Sequence, residues 1–252
     1  MKILSGLILS FSLLVSISGN ASSLNSDKEM LAELLFKFET PIKKENFPAI
    51  KKSIFSMGNR SVPVLTQVMR EEKFPEKNRW MATFLLAQVM GDKSAAYISR
   101  YSQHPNWLMR MASLKALTAL KQNDLGPVFA KALKDNALLV RVQALESIKT
   151  LNLTKYAPHV WAVLYDKRNY YETKVGNKRA NIIKMAVTTV GDLKFEKAKP
   201  ALYKMVSSKK YEDIFPEMDY ALTKITGKKS PEGNLQNKRQ FWSRQNMNDV
   251  II

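Results

Sequence analysis

Arg79, Arg110 and Arg141 stand 31 residues apart, and Pro127 and Pro158 keep the same interval. A chain that repeats at this length folds as a stack of like units, each of which can bury its apolar face only against its neighbours. The stack grows by adding layers, and it presents a long surface to a partner rather than one pocket for chemistry.

The clearest copy reads Asp135-Asn136-Ala137, then Val140 to Leu145, then Ile148 and Leu151. Ala144, Ile148 and Leu151 share one helical face, with Arg141 near the helix start. One interval earlier the same columns hold Met109, Arg110, Ser113, Leu114, Leu117 and Leu120, and another interval back Arg79, Ala82, Leu86 and Val89. A later copy is read with Arg179, Ile182, Ala186 and Gly191-Asp192, in which Ile182 breaks the small-residue rule of the Ala144 column. Asn46 stands in the arginine column of the first copy, as suits a worn edge repeat.

A second helix completes each copy. Pro63, Pro127, Pro158 and Pro200 share a column in which Ala96 is the exception. Proline in the first turn of a helix forfeits no hydrogen bond and already has a helical φ. Apolar residues recur two, five and mostly six positions later, as Phe129, Ala132 and Leu133 or Val160, Val163 and Leu164. The pattern predicts an all-α fold, a right-handed α-solenoid of about five helix pairs over 46–73, 76–104, 107–135, 138–166 and 176–208. A further helix is expected over 211–226, stopped by Gly227.

A capping box at Ser26-Asp27-Lys28-Glu29 opens a helix with Leu31, Leu34, Leu35 and Phe38 on one face. Residues 22–45 are therefore read as an N-terminal capping helix, 46–227 as the repeat solenoid and 228–252 as a polar tail whose Phe241-Trp242 forms a cap. One stretch breaks the rhythm. The interval from Pro158 to Pro200 is 42, so 11 residues are inserted around Lys167 to Asn177.

These columns resemble the HEAT-like repeats widespread in bacterial proteins, exported ones included, a family related to armadillo and phycobilin-lyase-type repeats. The resemblance covers roughly 46–227, and the Ile-Thr-Gly turn within Leu222 to Lys228 followed by Phe241-Trp242 is similar to the C-terminal end of many such proteins. It implies an interaction scaffold in which the repeat arginines and aspartates serve the stacking rather than a ligand.

Met1-Lys2, the apolar run Ile3 to Ile17 and the small residues Gly19-Asn20-Ala21 make a secretory signal pattern over 1–21, cut after Ala21. The run is shorter than the roughly 20 residues that span a bilayer. With no cysteine, disulfides, Cys-zinc sites, thiolate nucleophiles and a lipidated cysteine are excluded. The expectation is an exported protein, periplasmic or secreted, and monomeric.

The formal net charge is +18, from 40 basic and 22 acidic residues. Such a balance favours anionic partners, although a solvated basic surface would carry it as well. His104 and His159 are the only histidines, 55 residues apart, with no carboxylate cluster at ligand spacing. No phosphate loop, nucleophile elbow or zinc-protease motif occurs. Neither an enzyme nor a cofactor is expected.

Binding is expected in two places. The solvent-facing columns four and seven residues after each proline hold Gln67, Arg100, Lys131, Ala162 and Lys204, then Arg70, Gln103, Lys134, Tyr165 and Ser207, with no acid in either. They predict a mildly basic stripe on the concave face. The insertion adds Lys167, Arg168, Tyr170, Tyr171, Lys174 and Lys178, a mixture of cations and rings that can stack on ligands. The leading reading is a non-catalytic scaffold of the cell envelope that binds a protein or peptide. The alternative is an anionic polymer, an acidic glycan, lipid head groups at a membrane surface or nucleic acid, the last disfavoured by export.

Overall fold

The computed structural model of the chain describes residues 26–173 and 176–250, by backbone alone at 172–173, 176–178 and 247–250. The expected signal segment 1–21 lies outside the described residues. The chain divides into two compact units, one running to Met90 and the other from Gly91.

In the first unit a helix over 26–36 (α1) precedes α2 (Phe47–Met57), α3 (Val62–Arg70) and α4 (Glu76–Met90). Of the apolar face expected on α1, Leu34 and Phe38 are buried and Leu31 and Leu35 half-buried. Asn78 pins the loop after α1 to α4. Its amide donates to the carbonyls of Phe38 at 2.8 Å and Thr40 at 2.7 Å, and its oxygen accepts from the Ile42 amide at 3.1 Å. A buried amide left without such partners would cost about 1–3 kcal/mol.

The second unit continues the pairing with α5 (Ala95–Arg100), α6 (Trp107–Ala119), α7 (Gly126–Ala132), α8 (Leu138–Thr150) and α9 (Ala157–Ala162). A hairpin of β1 (Tyr170–Thr173) and β2 (Gly176–Arg179) follows, then α10 (Asn181–Asp192), α11 (Lys199–Ser207), α12 (Phe215–Thr226) and α13 (Leu235–Val250). Helices α6, α8, α10 and α12 pack side by side in one row, and α5, α7, α9 and α11 each pack on the next member of that row. The prolines of the expected column sit in the first turns of α3, α7, α9 and α11. The apolar positions that follow them, among them Phe129, Leu133, Val160 and Leu202, are buried.

Three long helices end on a left-handed residue that is not glycine: Lys121, Asn152 and Lys194, with φ of 53°, 49° and 51°. In each case the amide of the next residue returns to the helix, Gln122 to Leu117, Leu153 to Ile148 and Phe195 to Val190. This is the Schellman closure, which satisfies carbonyls left over at a helix end. Asn152 and Lys194 stand 42 apart, as do Pro158 and Pro200, so the whole insertion lies before α10.

That register corrects the reading of the last pair. Ile183, not Arg179, occupies the arginine column, and Ala186 occupies the small column that Ile182 was expected to break. Ala144 and Ala186 are both fully buried. The first helix of the pair begins at Asn181 rather than 176, because 176–179 pair as a strand. The insertion forms this hairpin, with Tyr170 opposite Arg179 and Tyr171 opposite Lys178.

Close packing has a visible cause between α10 and α12. A Cβ on Gly191 would lie 2.6 Å from the Ala221 Cα, so only glycine lets the two backbones meet. The tail after Gly227, expected to be polar, forms α13 on α11. Its Trp242 is fully buried beside Tyr203 and donates Nε1–H to the Asp219 carboxylate at 2.7 Å. No helix among the described residues is long and apolar enough to cross a membrane.

Candidate functional site

The repeat arginines face inward. Arg110 grips Asp135 through Nε and Nη2, both at 2.7 Å, and its Nη1 donates to the carbonyls of His104 and Pro105. Burial pushes the Asp135 carboxyl up, but the Arg110 hydrogen bonds, the Ala137 amide and the charges of Arg110 and Arg141 outweigh it and hold its pKa below the ordinary value. Arg141 repeats the geometry, with Nη1 on the carbonyls of Asp135 and Asn136. Its fork, however, ends on the Asn169 side-chain oxygen at 3.1 and 3.0 Å. Arg79 is also buried and donates Nε–H to the Met69 carbonyl.

The exchange of Asp for Asn traces to the insertion. Asp166 occupies the column of Asp135, yet it turns to Arg168, whose Nη2 meets it at 2.7 Å. Fully buried Asn169 takes the vacated place and donates in turn to the Val163 carbonyl at 3.0 Å. Arg168 also reaches the Lys134 carbonyl and the Asn136 side chain, so it braces the start of the insertion.

The hairpin walls a cavity of about 330 Å³. Tyr170 and Arg179, cross-strand partners, project from the same face of the hairpin into it. Trp161 and Tyr165 come from α9 and the turn after it, Lys204 and Met205 from α11, and Tyr211 from the segment before α12. The base is apolar, with Leu164, Ile183 and Ile214 buried. Tyr170 donates its hydroxyl to the Leu164 carbonyl at 2.6 Å, and burial raises its pKa. Arg179 bonds Asp213 at 2.6 Å and lies with Cζ 4.9 Å from the centre of the Tyr211 ring.

Two more grooves adjoin this cavity along the second helices. One, of about 260 Å³, shares Tyr165 with the cavity and runs past His159 to Lys134. The next, of about 490 Å³, shares Lys134 and holds Lys131 and Gln103. Tyr165 and Lys134, in one sequence column, are the shared edges of successive grooves. Arg100, Lys131, Ala162 and Lys204 and the column Gln103, Lys134, Tyr165 and Ser207 are exposed, as expected for solvent-facing positions, whereas Gln67 in the first unit is half-buried.

Of the residues singled out in the sequence, Tyr165, Tyr170 and Lys204 meet at the cavity, and Lys131 and Lys134 line the adjoining grooves. Tyr171 is 51% exposed, on the face of the hairpin opposite Tyr170. Lys167 and Arg100 are exposed. Arg70 is exposed in the first unit, 3.6 Å from Glu71. Lys174 lies outside the described residues, and Lys178 is described by its backbone in β2 alone. Trp161, Arg179 and Tyr211 complete the cavity and were not expected there. Trp161 could have been found from its place three residues after Pro158, beside the exposed columns. Tyr211 carries no such signal.

Chemically the site can bind. Its groups are rings, methyls and fixed cations, and the described residues hold no cluster of acids and histidines able to grip a metal ion. His159 lies beside the Tyr156 ring and shares its groove with Asp166 and Arg168, and His104 accepts the Asn106 amide at Nδ1.

Residues 62–149 match the family of HEAT repeats, so the repeats over that span are HEAT-like, and the all-α stack is consistent with a fold of that type. Among curated proteins, none matches this sequence.

Proposed function

We propose that this HEAT-like repeat chain is a non-catalytic scaffold that binds a protein partner along the second-helix surface of the unit beginning at Gly91. HEAT repeats commonly serve as protein-interaction scaffolds. The observation that carries the proposal is the run of two grooves, joined at Lys134, that meets at Tyr165 a cavity walled by rings. Aromatic side chains around a dry concavity are what interface anchors dock into. Placement in the cell envelope belongs to the same proposal and is supported by the signal pattern of 1–21. A mature protein recovered from fractionated cells should then begin at Ser22.

A photo-crosslinking residue in place of Tyr165 tests the binding reading in native envelopes. A discrete protein adduct is expected there, and none with the crosslinker in place of Lys115, which is exposed on α6. Equal labelling at both positions would sink it.

The lysines of the grooves support a second reading, an anionic polymer. Retention on heparin should then fall steeply with salt and drop when Lys131, Lys134 and Lys204 are changed together to alanine. Unchanged retention removes that reading.

A further inference from the structure

Around the grooves, acids and cations are unequally matched. Asp135 is held by Arg110, Asp166 by Arg168 and Asp213 by Arg179, each at 2.7 Å or less. Lys131, Lys134 and Lys204 enter no ion pair among the described residues, and Lys131 reaches only the Gln103 side-chain oxygen at 3.3 Å. The track is thus cationic through its lysines alone, and its electrostatic complement is a row of carboxylates. Phosphates would be better served by arginine forks. Those of Arg110 and Arg168 are already closed on carboxylates, and that of Arg179 is divided between the Asp213 carboxylate and the Lys210 carbonyl.

The cavity at the end of the track asks for something different. Its volume of about 330 Å³ is at the lower edge of the about 300–1,000 Å³ of ligand pockets, room for one large side chain. Its walls are already fixed, since the Tyr170 hydroxyl is bonded to Leu164 and Arg179 to Asp213. A preformed wall lowers the ordering cost of an incoming group.

We infer that the cavity takes one large apolar or aromatic side chain from an acidic, extended segment of the protein partner, whose carboxylates run past Lys134 toward Lys131. This presupposes that the surface binds protein. Lys134 and Tyr165 are one repeat apart, and the repeat spacing is that of α6 packed on α8, about 8–10 Å for packed helices. An extended chain covers that in about three residues. The acids therefore fall about three positions to one side of the anchor.

Random peptides displayed on phage and selected on the full chain test this. The enriched peptides should share one phenylalanine, tryptophan, tyrosine, leucine or methionine with aspartate or glutamate about three positions away. Fluorescence anisotropy with the labelled consensus peptide should weaken about thirtyfold in Ala201→Trp, which fills the cavity, and in Tyr165→Ala, which removes its rim. Lys131→Glu with Lys134→Glu should weaken it comparably, and Lys115→Glu should leave it unchanged. Tyr165 is 71% exposed, so its variant keeps the test valid should Ala201→Trp fold poorly.

Enrichment of basic peptides, of peptides without an apolar residue, or of none overturns the inference, as does a consensus peptide indifferent to both cavity variants. Binding of heparin or single-stranded DNA where no peptide binds overturns it too, in favour of a polyanion. A protein adduct at Tyr165 in native envelopes combined with such a failed selection rejects the anchor while leaving the scaffold. Loss of the adduct rejects the scaffold itself.

Discussion

Arg141 is 2% exposed and donates to three oxygens, the side chain of Asn169 and the carbonyls of Asp135 and Asn136. Those carbonyls precede its own helix, while Asn169 belongs to the following turn, so the guanidinium ties one repeat to the next. Arg141→Ala leaves these acceptors without a donor, and a loss of about 3 kcal/mol in denaturant unfolding is expected. Asn169→Ala should cost about 2 kcal/mol, and Tyr165→Ala no more than about 0.5 kcal/mol, which separates fastener from binding surface. Asp135 gives the acid limb of stability its shape. Its folded pKa lies below the unfolded value, so its contribution is present above the ordinary carboxylate pKa of about 4 and fades as pH falls through the folded value. Asp219, pushed up by burial but held lower on balance by Ser230, Lys238 and Trp242, adds to the same limb. Asp135→Asn should lower the unfolding midpoint at neutral pH and flatten its decline below about pH 4.

Helices α6, α8 and α10 end by a shared device whose residues are not ideal for it. Lys121 and Lys194 hold the left-handed conformation that glycine adopts without steric cost. Lys121→Gly or Lys194→Gly should therefore raise stability by about 0.5–1 kcal/mol, and Lys194→Val should lower it, both read from thermal unfolding. Gly191 is the opposite case, a helical glycine retained for the approach of α12. Gly191→Ala should cost about 1–3 kcal/mol through overpacking. The hairpin is the element that makes the site. It lifts Tyr170 and Arg179 to one wall, while Asn169 at its base restores the acceptor that Arg141 lost when Asp166 turned away.

In a stack of repeats each layer is stabilised by its neighbours, so disturbance decays with distance along the stack. Trp242, fully buried on α11 and bonded to Asp219 of α12, closes the second unit at its C-terminal end. Hydrogen exchange of Trp242→Ala should show the largest gain in α11 and α12, less in α10 and least in α6. Uniform acceleration across these helices would contradict nearest-neighbour stacking. The charge of the whole chain, +18, bears on encounter with a partner rather than on the fold. Adding salt should slow association more than it speeds dissociation, which stopped-flow measurements with the selected peptide would resolve.

Much of this was legible as pattern. The 31-residue period, the proline column and the apolar spacing after it lead to paired amphipathic helices, because helix formation and one-sided burial obey local rules. The same spacing puts Lys131, Lys134, Tyr165 and Lys204 on exposed columns. Arg179 shows where pattern ends. Its distance from Gly191 imitates a repeat, while the 42-residue proline interval places Ile183 in the column; the strand pairing of 176–179 and the closure at Lys194 decide for Ile183. The Trp-bearing cap was legible in the tail, but that its Trp242 is buried on α11, remote in sequence, was decided by packing. The cavity depended most on tertiary structure. Its walls run from Trp161 to Ile214, from three helices, a hairpin and two turns, and such convergence follows from packing between elements, which a one-dimensional repeat does not encode.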